Sequence, residues 1–488
     1  MRIERKRSRL ARGIVAVVLV LACATCQSSP PPPLVTRPAG PPPRIRITNV
    51  FVFDGRLDRL TPPQDVVLDR GRVEGIVRKG MLAAEGELVI DGTGHVLMPG
   101  LVDVHGHTGS QSAPSWSSAG RFPDPARNLQ SYLYAGVTTV FDPGDLAPDV
   151  FDRREAVARD ELLGPRIFAA GPIFTTPGGH PVGVLHGIVP WWIRWYVQPR
   201  MTREVGTPDE ARAAVAGLLP SRPDFIKVAV DAVPLGAPTL GGDVLKAIVE
   251  EARAHGIRTV AHIGTVADAL AAADAGVAAW MHGVYKEPIP DEALARFKAA
   301  RIPYVATTFV FDDYADLVEG KRTATALERE TVPADVLASL ESVPPDGLPG
   351  EFRDFMKLLA ATRDVRCENV RRVSAAGIPI LAGADAQLGV FPGPALHREI
   401  DALIRCGVPP VDALRAATSA AARFVTGEDE PEFGIVRSGG RADLLLVNGN
   451  PLVEPAALHS LLLVIKDGRI LERHPLAGAG PTAPPRGS

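Results

Sequence analysis

His105 and His107 stand one residue apart at the end of the apolar run Leu97-Met98-Pro99-Gly100-Leu101-Val102-Asp103-Val104. In an extended strand, residues two apart point to the same side, so both imidazoles would meet where the chain enters Thr108-Gly109-Ser110. Alone, such a pair reads equally well as two turn histidines. Four further residues raise its significance. Lys227 lies inside the apolar run 225–230, His262 closes 258–262, His282 closes 278–282 and Asp385 closes 378–385. Singly, His262 or His282 would be a satisfied core histidine, Lys227 a snorkelling side chain and Asp385 a cap. Together, four imidazoles and a carboxylate at the ends of four expected strands, with Lys227 on a fifth, form a donor set suited to Zn2+, with Mn2+, Fe2+ or Co2+ as alternatives. A metal so held lowers the pKa of its water, making hydroxide available at pH 7 for attack on a carbonyl. Asp385 is then placed to take a proton and pass it to a leaving amine. His180, in the loop after the third apolar run, and Tyr285, three residues after His282, are the candidates for binding substrate.

Something must bring residues so far apart in sequence together. Eight apolar runs, at 100–105, 137–142, 166–173, 225–230, 258–262, 278–282, 303–310 and 378–385, alternate with amphipathic stretches. Near-continuous apolarity suits strands buried on both faces, as in a parallel sheet. The intervening segments read as helices, for instance 242–255 ending at Gly256 and 266–275 ending at Gly276. The pattern predicts an α/β fold, a (β/α)8 TIM barrel over residues 98–428, with an open doubly wound sheet as the alternative. Shorter strand-like runs occupy 44–97 and recur at 429–475, each set too small to bury its own face. They predict one composite β-sandwich built from N- and C-terminal segments. Two insertions interrupt the rhythm: Trp191-Trp192-Ile193-Arg194-Trp195-Tyr196 and a charged stretch at 311–365. Both follow strand C-terminal ends, where barrels keep their sites, and either close over a substrate or pack the insertion.

Pro99-Gly100-Leu101-Val102-Asp103-Val104-His105-Gly106-His107 resembles the strand-one signature of the amidohydrolase superfamily of metal-dependent hydrolases. Gly136-Val137-Thr138-Thr139-Val140-Phe141-Asp142 resembles its strand two, and Phe433-Gly434-Ile435-Val436-Arg437-Ser438-Gly439-Gly440-Arg441-Ala442-Asp443-Leu444 its return into the sandwich. The similarity covers residues 44–472. Gly164-Pro165-Arg166-Ile167, Gly178-Gly179-His180 and the context of Lys227 are most similar to the prolidase/imidazolonepropionase-type branch. The resemblance implies that His105, His107 and Asp385 hold a more buried metal, that His262 and His282 hold a more exposed one, and that Lys227, if carboxylated, bridges the two. Without the carbamate it implies a mononuclear site. It further implies hydrolysis of an amide, cyclic amide or peptide bond of a small molecule, such as a dipeptide or N-acyl amino acid. A lactone or ester hydrolase on the same site is the alternative, and a non-catalytic envelope lipoprotein with a relict barrel is the alternative from another class. Two departures bear on substrate: His262-Ile263-Gly264-Thr265 lacks the tyrosine usual after the strand-five histidine of dipeptidases, and Met281-His282 replaces their Glu-His.

The formal net charge is −3, which excludes a basic field for nucleic acid. Arg2, Arg5, Lys6, Arg7, Arg9 and Arg12 precede an apolar stretch at 14–22, the order of an export signal; an uncleaved membrane anchor is the alternative. Val20-Leu21-Ala22-Cys23 resembles a bacterial lipobox, predicting an exported envelope or periplasmic protein held to the membrane by lipid on Cys23. Loss of residues 1–22 would remove six basic and one acidic residue, leaving a net charge of −8. Residues 23–43 read as a proline-rich tether and 476–488 as a flexible tail. Cys367 and Cys406 lie in helical patterns and read as buried free thiols. Barrels of this kind commonly self-associate, so a homo-oligomer is expected, although nothing in the sequence specifies an interface.

Overall fold

The computed structural model describes residues 32–80, 84–110, 123–341 and 350–476. The expected signal segment, lipobox and all but the first residue of the tail lie outside them. Of the stretch 23–43 read as a tether, residues 23–31 lie outside the described residues, and from Leu34 the chain belongs to the body. Leu34 is fully buried, its N–H donates to Gln130 Oε1 at 2.8 Å, and Val35–Thr36 pairs antiparallel with Glu472–Arg473. Two apolar side chains among the prolines suffice to dock this segment.

Strands from the two ends of the chain do join. Ile45–Val52, Thr61–Asp69, Arg72–Val77, Leu88–Asp91 and His95–Pro99 form one mixed eight-stranded sheet with Leu444–Asn448, Leu461–Lys466 and Arg469–Ile470. The join is the antiparallel pair His95–Pro99 with Leu444–Asn448, in which Leu445 faces Met98. Period-two alternation explains why Leu444-Leu445-Leu446-Val447 is apolar throughout. Leu444 and Leu446 pack with Ile47, Leu68 and Leu97, whereas Leu445 and Val447 pack on the opposite side with Val96 and Met98. Both faces are buried.

The middle of the chain is α/β. Leu101–Asp103, Val137–Asp142 and Arg166–Ala169 form a parallel three-stranded sheet. A second, seven-stranded parallel sheet runs Thr202–Glu204, Ile173–Thr175, Phe225–Ala229, Arg258–His262, Ala279–Met281, Tyr304–Val305 and Ile380–Leu381. The third apolar run is therefore two strands, divided where Gly171 takes a φ of +75° and Phe151 leaves no room for a Cβ. Thr202–Glu204 is an edge strand that no apolar run announces. The margins of the sheets meet through a few backbone hydrogen bonds: Val104 N to Ala382 O at 3.2 Å and Asp385 N to His105 O at 2.6 Å on one side, and Asp224 N to Ala169 O at 2.9 Å on the other. One apolar cluster gathers Val102, Phe141, Phe225, Val260, Met281 and Val305 from both sheets, together with Phe424 of the helix Ser419–Thr426.

Helices Gly242–Ala254 and Val266–Ala275 fall where the pattern places them. The second opens on a reciprocal Thr265–Asp268 capping box and closes at Gly276 with φ +89°. The insertion at 311–365 is helical, contributing most of Thr308–Val318 and all of Ala326–Thr331, Ala334–Glu341 and Gly350–Ala361.

Cys367 and Cys406 are not free thiols. Cys367, within Arg363–Ala375, and Cys406, directly after Pro394–Arg405, have Cα atoms 4.9 Å apart and form a disulfide across 39 residues. Closing a loop of that size restricts the unfolded chain by about 4 kcal/mol at most. The double variant Cys367→Ser/Cys406→Ser is expected to lose up to that much stability in urea unfolding, with a steeper slope because the released denatured chain exposes more surface.

Candidate metal centre

The first and last parallel strands are locked together by one buried carboxylate. Asp103 Oδ1 accepts the backbone N–H groups of His105 and Ala384, each at 3.0 Å, and Asp385 N donates to His105 O at 2.6 Å. These bonds fix the backbone on both sides of the candidate ligands. His107 is aimed by Tyr132, whose hydroxyl accepts the His107 backbone N–H at 3.1 Å, and by Gly144 O, 2.9 Å from Nδ1. Asp385 and His282 hold left-handed backbones, φ +49° and +76°. Non-glycine residues rarely adopt such values, and they cluster at sites where geometry is over-determined.

The side chains converge. His107 Nε2 is 2.9 Å and His105 Nε2 3.5 Å from Asp385 Oδ1, and ligand atoms of all three residues lie within 4.8 Å of one another. His282 Nδ1 is 3.7 Å from Asp385 Oδ2 and 3.0 Å from Thr307 Oγ1. Ring centroids then step from His105 to His282 at 4.5 Å, to His262 at 3.9 Å and on to His180 at 4.5 Å. Lys227 lies buried on Phe225–Ala229, beside Ile173 and Val260 in register, and lines the same cavity. Its Nζ makes no hydrogen bond or ion pair among the described residues.

Burial sets the charge states. It holds the imidazoles of His105 and His282 well below their ordinary pKa, helped by neighbouring cationic groups, and lowers His262 as well. These rings are neutral and keep a lone pair for ligation. Asp385 behaves differently: burial pushes its pKa up, but the His107 hydrogen bond and charge prevail, so it stays a carboxylate. Burial brings Lys227 down to about 7, against the opposing pull of Asp385 and Asp142. Among the described residues, three buried ring nitrogens, His105 Nδ1, His180 Nδ1 and His262 Nε2, have no hydrogen-bond partner, the last facing Asp231 Oδ2 at 3.4 Å. Unpaired donors or acceptors in a buried cluster of imidazole and carboxylate fit a divalent cation.

The cluster floors a cavity of about 180 Å³. Leu185, Ile188, Val197, Met201, Phe311 and Phe355 form an apolar wall around it, supplied by the helices Val182–Ile188 and Arg194–Met201 that flank the tryptophans and by the insertion at 311–365. The tryptophans take no part: Trp191, Trp192 and Trp195 all face solvent. His180 lines the cavity, with burial lowering its pKa to about 3. Tyr285 does not. Its hydroxyl donates to Asp231 Oδ2 and its ring packs on Phe311 at 4.4 Å, so this residue positions a carboxylate instead of meeting substrate.

Three acidic residues complete the site beyond those singled out in the sequence. Asp103 ties the strand ends, and burial raises its pKa to about 7. Asp142 accepts Thr108 N–H at 2.7 Å and its hydroxyl at 2.8 Å, orienting the loop after His107. Asp231 is bonded by Tyr285 and Lys286 and stands 3.4 Å from His262 Nε2. The signal for all three was a carboxylate inside or directly after an apolar run.

Comparison with known proteins agrees with this geometry. Ochratoxinase of Aspergillus niger is 26% identical over 381 residues, covering 73% of this chain and 71% of that one. Imidazolonepropionase of Anaeromyxobacter dehalogenans is 27% identical over 438 residues, covering 86% and 92%. A Xaa-Pro dipeptidase crystallised with methionine in its active site superposes with a TM-score of 0.70 at 24% identity, over 88% of this chain and 99% of that one. The sequence profile of the amidohydrolase family matches residues 96–471. That match spans well over half of the chain, and the chain therefore belongs to the amidohydrolase family.

Proposed function

We propose that this protein hydrolyses an amide, cyclic amide or peptide C–N bond of a small molecule carrying a bulky apolar group, at a divalent metal centre. The two parallel sheets act in this reading as one (β/α)8 barrel whose strand ends converge on the site. The observation that carries it is the meeting of His105, His107 and Asp385 at the floor of an apolar cavity. The family match and a relative named as a dipeptidase support the bond type.

His105, His107 and Asp385 would hold one ion, Zn2+ by the character of the donors, and His262 and His282 a second. A cation there supplies a Lewis acid for the carbonyl and a water of lowered pKa. Asp385, ionised and fixed by His107, accepts the proton of the attacking water and delivers it to the leaving nitrogen. His180, neutral and facing the cavity, hydrogen-bonds the substrate carbonyl or carboxylate. Leu185, Val197, Phe311 and Phe355 exclude water and seat the apolar group.

Lys227 completes a binuclear form of the site. With its pKa near 7 and no partner for Nζ, its neutral amine adds to CO2, forming an N–C bond and releasing one proton to give an anionic carbamate. Lys227→Ala is expected to bind about one ion fewer per chain by elemental analysis. In the native protein, loading with zinc and bicarbonate should proceed faster at pH 8 than at pH 6, since the amine is neutral above about 7. Equal metal content in native and variant chains would make Lys227 structural. The activity is tested with dipeptides and N-acyl amino acids of increasing acyl size. Turnover that rises with apolar bulk supports the reading, and no turnover of any C–N substrate refutes it.

The export reading of residues 1–23 is supported by the Cys367–Cys406 disulfide, a bond kept in oxidising compartments. Metabolic labelling with palmitate, lost in Cys23→Ser, tests the lipid anchor.

A further inference from the structure

The tryptophan insertion has an inner and an outer side. Inside, Leu185 and Val197, from the short helices Val182–Ile188 and Arg194–Met201, pack with Val189 and line the cavity. Outside, Trp191 is 79% exposed, Trp192 53% and Trp195 75%. Three large indoles left in water within five residues are a conspicuous departure for a globular surface, where bulky apolar groups are mostly covered. The neighbouring loop extends the patch: Pro234 packs beside Gly183 of the first helix, and the next residue, Leu235, is 60% exposed.

Charge follows the same outline. Residues 182–203 contain Arg194, Arg200 and Arg203 and neither Asp nor Glu, in a chain of formal net charge −3. None of the three arginines pairs with a carboxylate among the described residues. Arg194 bonds the carbonyls of Val189 and His186, Arg200 lies 3.8 Å over the Tyr196 ring, and Arg203 bonds backbone carbonyls. A surface groove runs between Trp195, Arg194 and Arg203, with Glu204 at one edge.

We propose that Trp191, Trp192, Trp195 and these arginines form a docking surface for an anionic phospholipid bilayer. Indoles partition to the depth of the lipid headgroups, and unpaired arginines complement the phosphates there. A guanidinium with no carboxylate partner among the described residues, its geometry fixed by backbone carbonyls, suits a phosphate better than a second copy of a patch in which arginines outnumber Glu204. The proposal rests on residues 182–203 and Leu235 alone and is independent of the metal centre. It places the helices that wall the cavity against the membrane, so substrates dissolved in the bilayer would reach the site along its apolar wall.

The test uses the full chain and its triple variant Trp191→Ser/Trp192→Ser/Trp195→Ser, with far-ultraviolet circular dichroism confirming that both are folded. Both are mixed with vesicles of phosphatidylcholine containing about one-third phosphatidylglycerol, with and without bromine on the acyl chains. The native chain should co-sediment, and its tryptophan fluorescence should be quenched by the brominated lipid. In the variant, binding should weaken by about tenfold or more and the quenching should vanish. Equal binding by both chains would assign attachment to the N-terminal segment and overturn the proposal. So would a native dimer in sedimentation velocity that the variant dissociates without any change in vesicle binding, since the patch would then be a contact between copies.

Discussion

Asp385→Asn is expected to lower the turnover of any substrate of this protein about 10³-fold while leaving the chain folded. The carboxylate occupies the centre of the cluster. Its Oδ1 faces His105 at 3.5 Å, His107 at 2.9 Å and Gln387 Nε2 at 3.0 Å, and its Oδ2 faces His282 at 3.7 Å. Asparagine keeps the volume and an acceptor oxygen, so those neighbours retain their shape. What it removes is the negative charge that would hold a cation and the oxygen that would take a proton from water. The two losses act on one residue, and neighbouring groups have no spare carboxylate to replace it: Asp103 and Asp142 are committed to backbone and hydroxyl donors. Steady-state kinetics and a thermal melt, run on the same preparation, separate catalysis from folding. Activity within tenfold of native would remove Asp385 from the mechanism.

Gly383→Ala is expected to damage both folding and activity, because the site leaves no space for one methyl group. A Cβ at 383 would lie 2.6 Å from His105 Cβ, 2.8 Å from Val305 Cγ1 and 3.0 Å from His105 N. The last of these is backbone, pinned by Asp103 Oδ1, so no rotamer change relieves it. Overpacking of this kind costs about 1–3 kcal/mol. The strain falls between the two segments that carry His105 and Asp385, and a misplacement near 1 Å at such a site costs about 10²-fold in rate. Urea unfolding and kcat/KM should therefore fall together. A variant with native stability and native activity would show that the first and last strands do not fix the ligands as described.

Much of the site is legible in the sequence because its chemistry forces rare residues into places where apolar ones are expected. A histidine or aspartate ending an apolar run is conspicuous, and the six expected ligands lie around one cavity. The joining of the two chain ends is legible for a related reason: Leu444-Leu445-Leu446-Val447 is too apolar for a strand with one face in water. The features that escaped depend on contacts with no local pattern. Nothing near Tyr285 in sequence marks Asp231, 54 residues away, as the partner of its hydroxyl. Cys367 and Cys406 meet across 39 residues, a pairing that no local pattern announces. The break of the third run at Gly171 escapes because Ala169, Ala170 and Ile173 are apolar on both sides of it, and periodicity does not distinguish one long strand from two. Thr202–Glu204 carries no apolar signal, since it is an edge strand ending in an exposed glutamate.

The most direct test of the metal-dependent reading is a titration of the chelated protein with zinc, following bound metal and hydrolysis in parallel. Chelated protein should be inactive, and activity should return in proportion to bound zinc until one or two ions per chain are held. His107→Ala should neither bind the first ion nor recover activity. Full hydrolysis by chain stripped of metal, or failure to take up any divalent ion under loading conditions, would contradict the assignment of His105, His107 and Asp385 as its reactive centre.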